Sequence, residues 1–434
     1  AIVEMIACST ARTRSDANEV ISTGTAVLAQ LDQVSSPYPA VPGLRAIATN
    51  NLGVGLLWAG RPHEARTMLL GSAMRLEEIG LHLTAMNARG HLGLCELVEG
   101  RLDEAEQYAA RALTLAEPRG VTSRFELRSA HLTRAYVNLL RGETDEADRS
   151  VAAGLAATGG ADEPAPRTAL HVCLALVAVT RGRVRAAEQA MTAAATTAAT
   201  WTPPQFLNDW HQRATTETLL LGHNPAAITS AIARLMSQAN PSATSRVCLA
   251  RLLLATGDLN RSESIALDLC EFASGGDVDN LAETEAWLVR AEVADRLRRI
   301  HDSRDFLGRA MALAIQQGLV RPFLVSGSER MPVLLQQLIE AGHDPSGIGR
   351  EVLLRLGKGD RFTPEPEPLV DPLTERELTI LWALPTLQTN AEIASNLFIS
   401  VNTVKAHVKG LYRKLGVTNR RDAVHRGRAL GLLF

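Results

Sequence analysis

The sequence predicts an all-α protein in two parts: a long α-solenoid of helical hairpins, then a small domain of four short helices. Aromatic residues make up only 4% of the 434 residues, and Ala and Leu dominate the apolar set. This balance favours packed helices over β-sandwiches. A motif recurs about every 40 residues along most of the chain. The last segment carries helix-capping residues and an amphipathic, basic helix.

The recurring motif is centred on a glycine. Successive glycines are 40, 42, 40, 40 and 35 residues apart, and small residues stand seven before and five after each one. We expect the glycine to adopt the left-handed conformation that ends the first helix of a hairpin. The small residues let the two helices cross closely, and such periods predict an α-solenoid. The glycines are Gly60, Gly100, Gly142, Gly182, Gly222 and Gly257.

The small-residue pair resembles the tetratricopeptide repeat, although the period of that family is about 34 residues. A further unit is expected around Arg298, with Arg in the place of Gly. Residues 1–40 look like the end of an earlier unit. We therefore predict a tetratricopeptide-like solenoid over residues 1–356, whose concave face is expected to bind a small-molecule inducer or a protein partner.

A proline-rich stretch, "GKGDRFTPEPEPLVDP", predicts a linker over residues 357–372. Alternating Pro and Glu disfavour helix and favour an extended, semi-rigid spacer. The Gly-Lys-Gly at its start is not a phosphate loop, because G-x-x-x-x-G-K-[ST] is absent from the sequence. No nucleotide or other cofactor is predicted.

Capping residues predict four helices in the terminal domain, residues 373–434. Side chains that accept from the first free N–H groups mark helix starts, and glycine marks helix ends. The predicted helices are one ending near Leu384 after a Thr374/Glu377 capping box, 391–397 after Asn390, 401–415 after Ser400 and before Gly416, and 420–430 after Asn419.

The third of these helices has two different faces. Val404, Val408, Leu411 and Leu415 fall at i, i+4, i+7 and i+11 and predict one buried stripe. Polar and basic residues fall on the opposite side. A short helix, a tight turn and a helix with a basic outer face form a helix-turn-helix, which lays its second helix in the DNA major groove. Double-stranded DNA is the predicted partner.

The residue types on that outer face suit base and phosphate contacts. Lysine donates to guanine or to phosphate, asparagine pairs with adenine, and alanine lets the helix approach a thymine methyl. Ser400 and Thr403 stand at the helix start, which attracts backbone phosphate. The predicted DNA-binding residues are Asn390, Ser400, Asn402, Thr403, Lys405, Ala406, Lys409, Arg413 and Arg420.

Charge is distributed unevenly along the chain. The formal net charge is −2, yet residues 401–434 hold eight basic residues and one acidic residue, +7, which leaves −9 for residues 1–400. Such segregation indicates a polyanion-binding end on an acidic body. A solvated basic helix face is the alternative interpretation of the charge alone.

The terminal domain also resembles a known family. "LTEREL", "EIASNLFIS", "NTVKAHVKGLYRKLGV" and "RRDAV" occur in order, as in the LuxR/FixJ-type (GerE-like) DNA-binding domain of bacterial transcription regulators. The resemblance implies that Lys405, Ala406 and Lys409 read DNA, and that the fourth helix pairs two copies into a homodimer. Leu387 stands where the family usually has a turn glycine.

The helical repeats ahead of this domain resemble those of the large ATP-binding LuxR-type regulators. In those proteins an ATPase module precedes the repeats, so we expect this chain, which starts at Ala1, to be the later part of such a protein.

Other classes of function are less well supported. The five cysteines are scattered without a C-x-x-C pair, which predicts neither a metal site nor disulfides and fits a reducing cytoplasm. No apolar run approaches the roughly 20 residues of a membrane helix. No catalytic constellation is present, so an enzyme is not predicted. The alternative function is a protein-interaction scaffold built on the repeats, with only a non-specific DNA-binding tail.

Overall fold

The computed structural model describes residues 2–33, 40–159, 163–272, 280–326, 330–342, 344, 347–357, 372–384, 389–397, 399–417, 420, 423–424 and 432. These residues form twenty-two α-helices, two short 3₁₀ helices and no strand beyond one bridge between Arg124 and Thr158. The predicted all-α fold is therefore confirmed. The chain divides into two compact units, Ala1–Thr363 and Pro364–Phe434. Among the residues that the structure describes, no helix is long and apolar enough to cross a bilayer.

The first unit is a succession of antiparallel helix pairs with one continuous apolar core from Ala46 to Leu356. Two short 3₁₀ helices, Glu117–Arg119 and Phe125–Leu127, lie between residues 116 and 128. Its α-helices are α1 (Ile2–Thr13), α2 (Ala17–Asp32), α3 (Ala40–Trp58), α4 (Pro62–Glu78), α5 (His82–Val98), α6 (Leu102–Ala116), α7 (Arg128–Leu140), α8 (Thr144–Ala156), α9 (Pro164–Thr180), α10 (Val184–Ala198), α11 (Gln205–Gly222), α12 (Pro225–Met236), α13 (Ala243–Thr256), α14 (Leu259–Phe272), α15 (Asn280–Arg296), α16 (Ile300–Gln317), α17 (Arg321–Leu324), α18 (Met331–Glu340) and α19 (Ile348–Gly357).

Five of the six motif glycines end a helix as predicted. Gly60, Gly100, Gly142, Gly182 and Gly257 have φ values of 80°, 78°, 76°, 72° and 86°. This left-handed conformation raises the energy of a residue that has a Cβ atom, but not that of glycine. Each of these glycines lies in the turn between the two helices of a hairpin. The period therefore marks hairpin turns.

The prediction for Gly222 is wrong by one residue. Gly222 is the last residue of α11, and His223 takes the left-handed conformation with φ 49°. The Asn224 side chain accepts the cap hydrogen bond at the start of α12, so His223 is the residue between the end of α11 and this cap. The buried positions of this hairpin move accordingly to Thr216 and Ile228.

Two further turns, besides the one at His223, use a left-handed residue other than glycine. Arg298, with φ 61°, turns α15 into α16, as expected for the seventh unit. Residues 2–32 form a hairpin of their own, in which Ser15, with φ 56°, lies between α1 and α2.

The small residues mark the points where paired helices cross. A Cβ atom added to Gly93 on α5 would lie 2.9 Å from the carbonyl oxygen of Ala105 on α6. In a later hairpin the Ser262 hydroxyl donates to the carbonyl oxygen of Ala250 over 2.8 Å. Both pairs are twelve residues apart. The close helix crossing that the repeat predicts is thus present in the structure.

The second unit contains α20 (Glu375–Ala383), α21 (Asn390–Asn396) and α22 (Val401–Leu415). The Thr374/Glu377 capping box starts α20 as predicted. The three helices share one apolar core, made of Ile380, Leu381, Leu384, Ile393, Ala394, Val404, Leu411, Leu415 and Ala423.

The predicted cap of α21 is wrong. Asn390 is the first residue of the helix, and Thr389 caps it instead: Thr389 Oγ1 accepts from the Glu392 N–H over 3.3 Å. Glu392 Oε2 in turn accepts from the Thr389 N–H over 2.7 Å. Asn390 cannot form this reciprocal pair because Ile393, three residues later, has no acceptor.

Several predictions fall outside the described residues. They concern the linker between its end residues 357 and 372, Leu387, Asn419 and most of the fourth helix.

Candidate nucleic-acid interface

The predicted recognition helix, α22, is anchored by its apolar face. Val404 and Leu411 are fully buried, Leu415 is 3% exposed and Val408 is half-buried. These side chains pack in the shared core with α20 and α21. The predicted buried stripe is confirmed, and it determines which face of α22 is turned outward.

Both ends of α22 are also closed as predicted. Ser400 Oγ accepts from the Thr403 N–H over 3.1 Å. Gly416 takes the left-handed conformation with φ 66° and ends the helix. Only the first and last turns of a helix leave N–H and C=O groups unpaired, so these caps account for the length of α22.

The outer face of α22 is polar, basic and exposed. Within the described ranges, Lys405, Lys409 and Arg413 form no salt bridge, so their charges are available to an anion. The exposed residues of the predicted DNA-binding set are Ser400, Asn402, Thr403, Lys405, Ala406, Lys409 and Arg413.

Lys414, on the same helix, has a different role. Its ammonium donates to Glu377 Oε2 over 2.9 Å and to the Pro372 carbonyl oxygen over 3.0 Å. Burial of Glu377 favours its neutral form, but hydrogen bonds from Thr374 and Lys414 outweigh this effect and lower its pKa. Lys414 thus fastens α22 to the start of α20.

Arg420 is likewise engaged inside its unit. It is half-buried, and its guanidinium donates to the Leu384 carbonyl oxygen from Nη2 over 2.7 Å and from Nε over 3.0 Å. A cation at this position satisfies the free carbonyls at the end of α20. Asn390, at the start of α21, is half-buried too. The place of both residues in the DNA-binding set remains a prediction from sequence.

Two protein-family models match the chain. The "MalT-like TPR region" matches residues 39–341, well over half of the chain. The chain belongs to this family. The GerE description, "Bacterial regulatory proteins, luxR family", matches residues 371–426, which include all of α20, α21 and α22. In this member of the MalT-like family, the helix with the open basic face therefore lies inside a LuxR-family domain.

One similar protein is the HTH-type transcriptional regulator MalT of Serratia proteamaculans (strain 568). It is 29% identical over 155 residues, which cover 31% of this chain and 17% of that protein. The chain thus matches less than a fifth of the length of this relative.

The N-terminal unit of this MalT-like chain, which holds the repeats, also contains a cavity that the sequence did not predict. Its volume is about 520 Å³, and α11, α12, α13, α15 and α17 line it. Arg251, Glu285, Glu292 and Arg296 bring charge to a lining that is otherwise largely apolar. Burial raises the pKa of Glu292 although Arg296 lies 2.6 Å away. The lining spans five helices, so no local motif signals it.

Proposed function

We propose that the chain is a sequence-specific DNA-binding transcriptional regulator whose helical repeats sense a ligand or a partner. The observation that carries this proposal is the outer face of α22, which is exposed and basic within a LuxR-family domain. A helix held by its apolar face and carrying unpaired cations on the other is suited to the major groove. A regulator that acts on bacterial DNA would work in the cytoplasm.

We assign base reading to Lys405, Ala406 and Lys409, with Asn402 beside them. Ser400 and Thr403 stand at the positive end of the α22 dipole, where backbone phosphate is favoured. Arg413, three turns into the helix, extends the cationic face. These assignments keep all base-reading residues on one exposed surface.

We further assign sensing to residues 1–356, tethering to residues 357–372 and DNA reading to residues 373–434. Two copies are expected to pair through the fourth helix, residues 420–430, and bind DNA as a homodimer. The inducer or partner is expected on the repeats, for which the cavity beside Arg251 offers one site.

The test is selection of bound duplexes from a random pool by the whole chain, followed by fluorescence anisotropy with a selected duplex and its scrambled control. We expect the selected duplex to bind more tightly, because base contacts discriminate whereas phosphate contacts do not. Equal affinity for both duplexes would instead favour the scaffold with a non-specific DNA-binding tail.

A further inference from the structure

One segment of the repeat unit does not follow the hairpin pattern. After α16 ends at Gly318, residues Leu319–Val325, which we name the strap, are buried along their whole length and include the short helix α17. The N–H of Val320 donates over 3.0 Å to the carbonyl oxygen of Leu140, at the end of α7. The strap therefore lies against helices from hairpins much earlier in the chain.

Arg321 is the polar centre of the strap. Its guanidinium donates to Glu217 Oε2 on α11 over 2.6 Å and to Thr180 Oγ1 on α9 over 3.0 Å. Phe323, two residues later, is fully buried. The inner groove formed by α7, α9, α11, α13 and α15 thus holds an arginine flanked by apolar side chains.

The groove is electrically balanced without the strap. Arg251 lies 3.2 Å from Glu217 and 3.6 Å from Glu285. Arg213 also pairs with Glu285. Two arginines and two glutamates sum to zero, so Arg321 adds one excess buried cation. Removing one partner of a buried ion pair normally leaves the other charge uncompensated. Here Glu217 would still pair with Arg251 after the strap is withdrawn, so no buried charge would be left uncompensated.

The groove also has hydrogen-bonding capacity that the strap does not use. Tyr136 Oη and Arg213 Nε are buried and have no hydrogen-bond partner among the described residues. The positive charges of Arg213 and Arg321 act on the Tyr136 hydroxyl and oppose the rise in its pKa that burial causes. Buried polar groups of folded proteins are normally paired, so these two groups are hydrogen-bonding positions that another segment in the groove can use.

We propose that the inner groove is a binding site for an extended peptide segment of a partner, with an arginine between apolar residues, and that the strap occupies this site until such a segment displaces it. Gly318, with φ 67°, offers a hinge at the start of the strap. At its other end, Arg251 donates to the Val325 carbonyl oxygen over 2.6 Å and also lines the neighbouring cavity.

This inference rests on the proposed sensing role of the repeats and names the kind of partner. The first experiment measures fluorescence anisotropy of a labelled synthetic peptide of residues 318–326 added to the whole chain. The chains are wild type, Arg321→Ala and, as a matched control, Arg304→Ala, which changes an exposed arginine on α16. None of these measurements involves DNA, so their failure would leave the DNA-binding proposal standing.

We expect Arg321→Ala to bind the peptide about tenfold or more tightly than the other two chains, because the loss of charged hydrogen bonds weakens the competing strap. A peptide with Ala in place of its arginine should bind all three chains weakly. A folded Arg321→Ala chain that binds the unaltered peptide no better than wild type would overturn the proposal.

The second experiment needs no substitution. Amide hydrogen exchange of the wild-type chain should show the strap opening while α9 and α11 stay protected, with an excess of the peptide increasing exchange in the strap by about tenfold or more. If the strap exchanges only together with α9 and α11, with and without the peptide, it is a permanent part of the core and the proposal is wrong.

Discussion

At the scale of single residues, two lysines of the C-terminal unit differ in whether their charge is free to bind an anion. Lys409 and Lys414 stand on the same helix, five residues apart. Lys409 is exposed, whereas the ammonium of Lys414 is shared between Glu377 and a backbone carbonyl. A charge that is already paired and half-buried gains little from a phosphate, so only the open lysines are expected to bind DNA.

The first prediction concerns these open lysines. Lys409→Ala should weaken binding to a selected duplex by about 1–3 kcal/mol if the contact is to a base. The double change at Lys405 and Lys409 should weaken binding further at every salt concentration, because a second base contact is lost. Anisotropy titrations over a range of salt concentrations measure both effects. Arg376→Ala, at an exposed position on α20, is the control, and unchanged affinity in the double variant would contradict the assignment of α22.

The second prediction concerns Glu377. Its folded pKa lies below the ordinary value of 4.5, so its stabilising effect is complete above about pH 4.5 and is lost as the pH falls further. Glu377→Gln keeps an oxygen for the capping box but removes the charge that Lys414 meets. It should lower the free energy of unfolding at pH 7 by about 1 kcal/mol, because a hydrogen bond to a charged group is stronger than one to a neutral group. The difference from wild type should shrink below pH 4.5.

Urea unfolding of the 365–434 fragment, followed by the fluorescence of its only tryptophan, Trp382, measures this difference. A gap between the two proteins that is the same at pH 3.5 and pH 7 would mean that the Glu377 charge does not act through Thr374 and Lys414.

At the scale of elements, the hairpin depends on a left-handed turn and on a close crossing. Ala105 is fully buried where α6 meets α5. Five of the motif turns have glycine, while Ser15, His223 and Arg298 hold the same conformation with side chains in other hairpins. The crossing and the turn are both places where the presence of a Cβ atom changes the energy.

Our third prediction is that Ala105→Leu damages more than its own hairpin. The larger side chain would push the carbonyl-lined crossing apart, which typically costs about 1–3 kcal/mol, and neighbouring repeats share the same core. Thermal unfolding of the whole chain should shift to lower temperature or split. Ala195→Leu, the same change at an exposed position of α10, should leave the curve unchanged, and an unchanged curve for Ala105→Leu would contradict the crossing.

Arg298→Gly should stabilise the repeat unit, which is the fourth prediction. Glycine removes the strain of a left-handed residue but adds freedom to the unfolded chain, so we expect a net gain of about 0.5–1 kcal/mol. Arg298→Ala keeps the Cβ atom and should give no such gain. Chemical denaturation measures the free energy of unfolding of wild type and of both variants. Equal effects of Gly and Ala would exclude backbone strain at residue 298 as the cause.

At the scale of the whole molecule, charge is segregated along the chain. Residues 401–434 carry a formal charge of +7 and residues 1–400 carry −9, which gives the net charge of −2. We expect the acidic repeats to compete with DNA for the basic C-terminal domain, and salt to weaken this competition. The charge pattern therefore suggests that the repeats restrain DNA binding.

The fifth prediction follows. The isolated 365–434 fragment should bind a selected duplex at least as tightly per domain as the whole chain, and its advantage should shrink as salt is added. Anisotropy titrations of both proteins at several salt concentrations test this. A whole chain that binds far more tightly at every salt concentration would show that the repeats promote pairing on DNA instead.

The sequence by itself determined the helical class, the hairpin period, five of the six turns, and the caps and faces of α22. These features depend on residues within one or two helical turns of each other. The Ser400 cap and the stripe from Val404 to Leu415 involve only side chains that a helix brings together. Local pattern therefore suffices to predict them.

Only the tertiary structure decided which polar residues are engaged and what fills the inside of the repeats. Lys414 meets Glu377, 37 residues away, and Arg321 meets Glu217, 104 residues away. The shift from Gly222 to His223 likewise follows from where α12 begins. Ion pairs and grooves between distant segments form only after the chain has folded, and no local period records them.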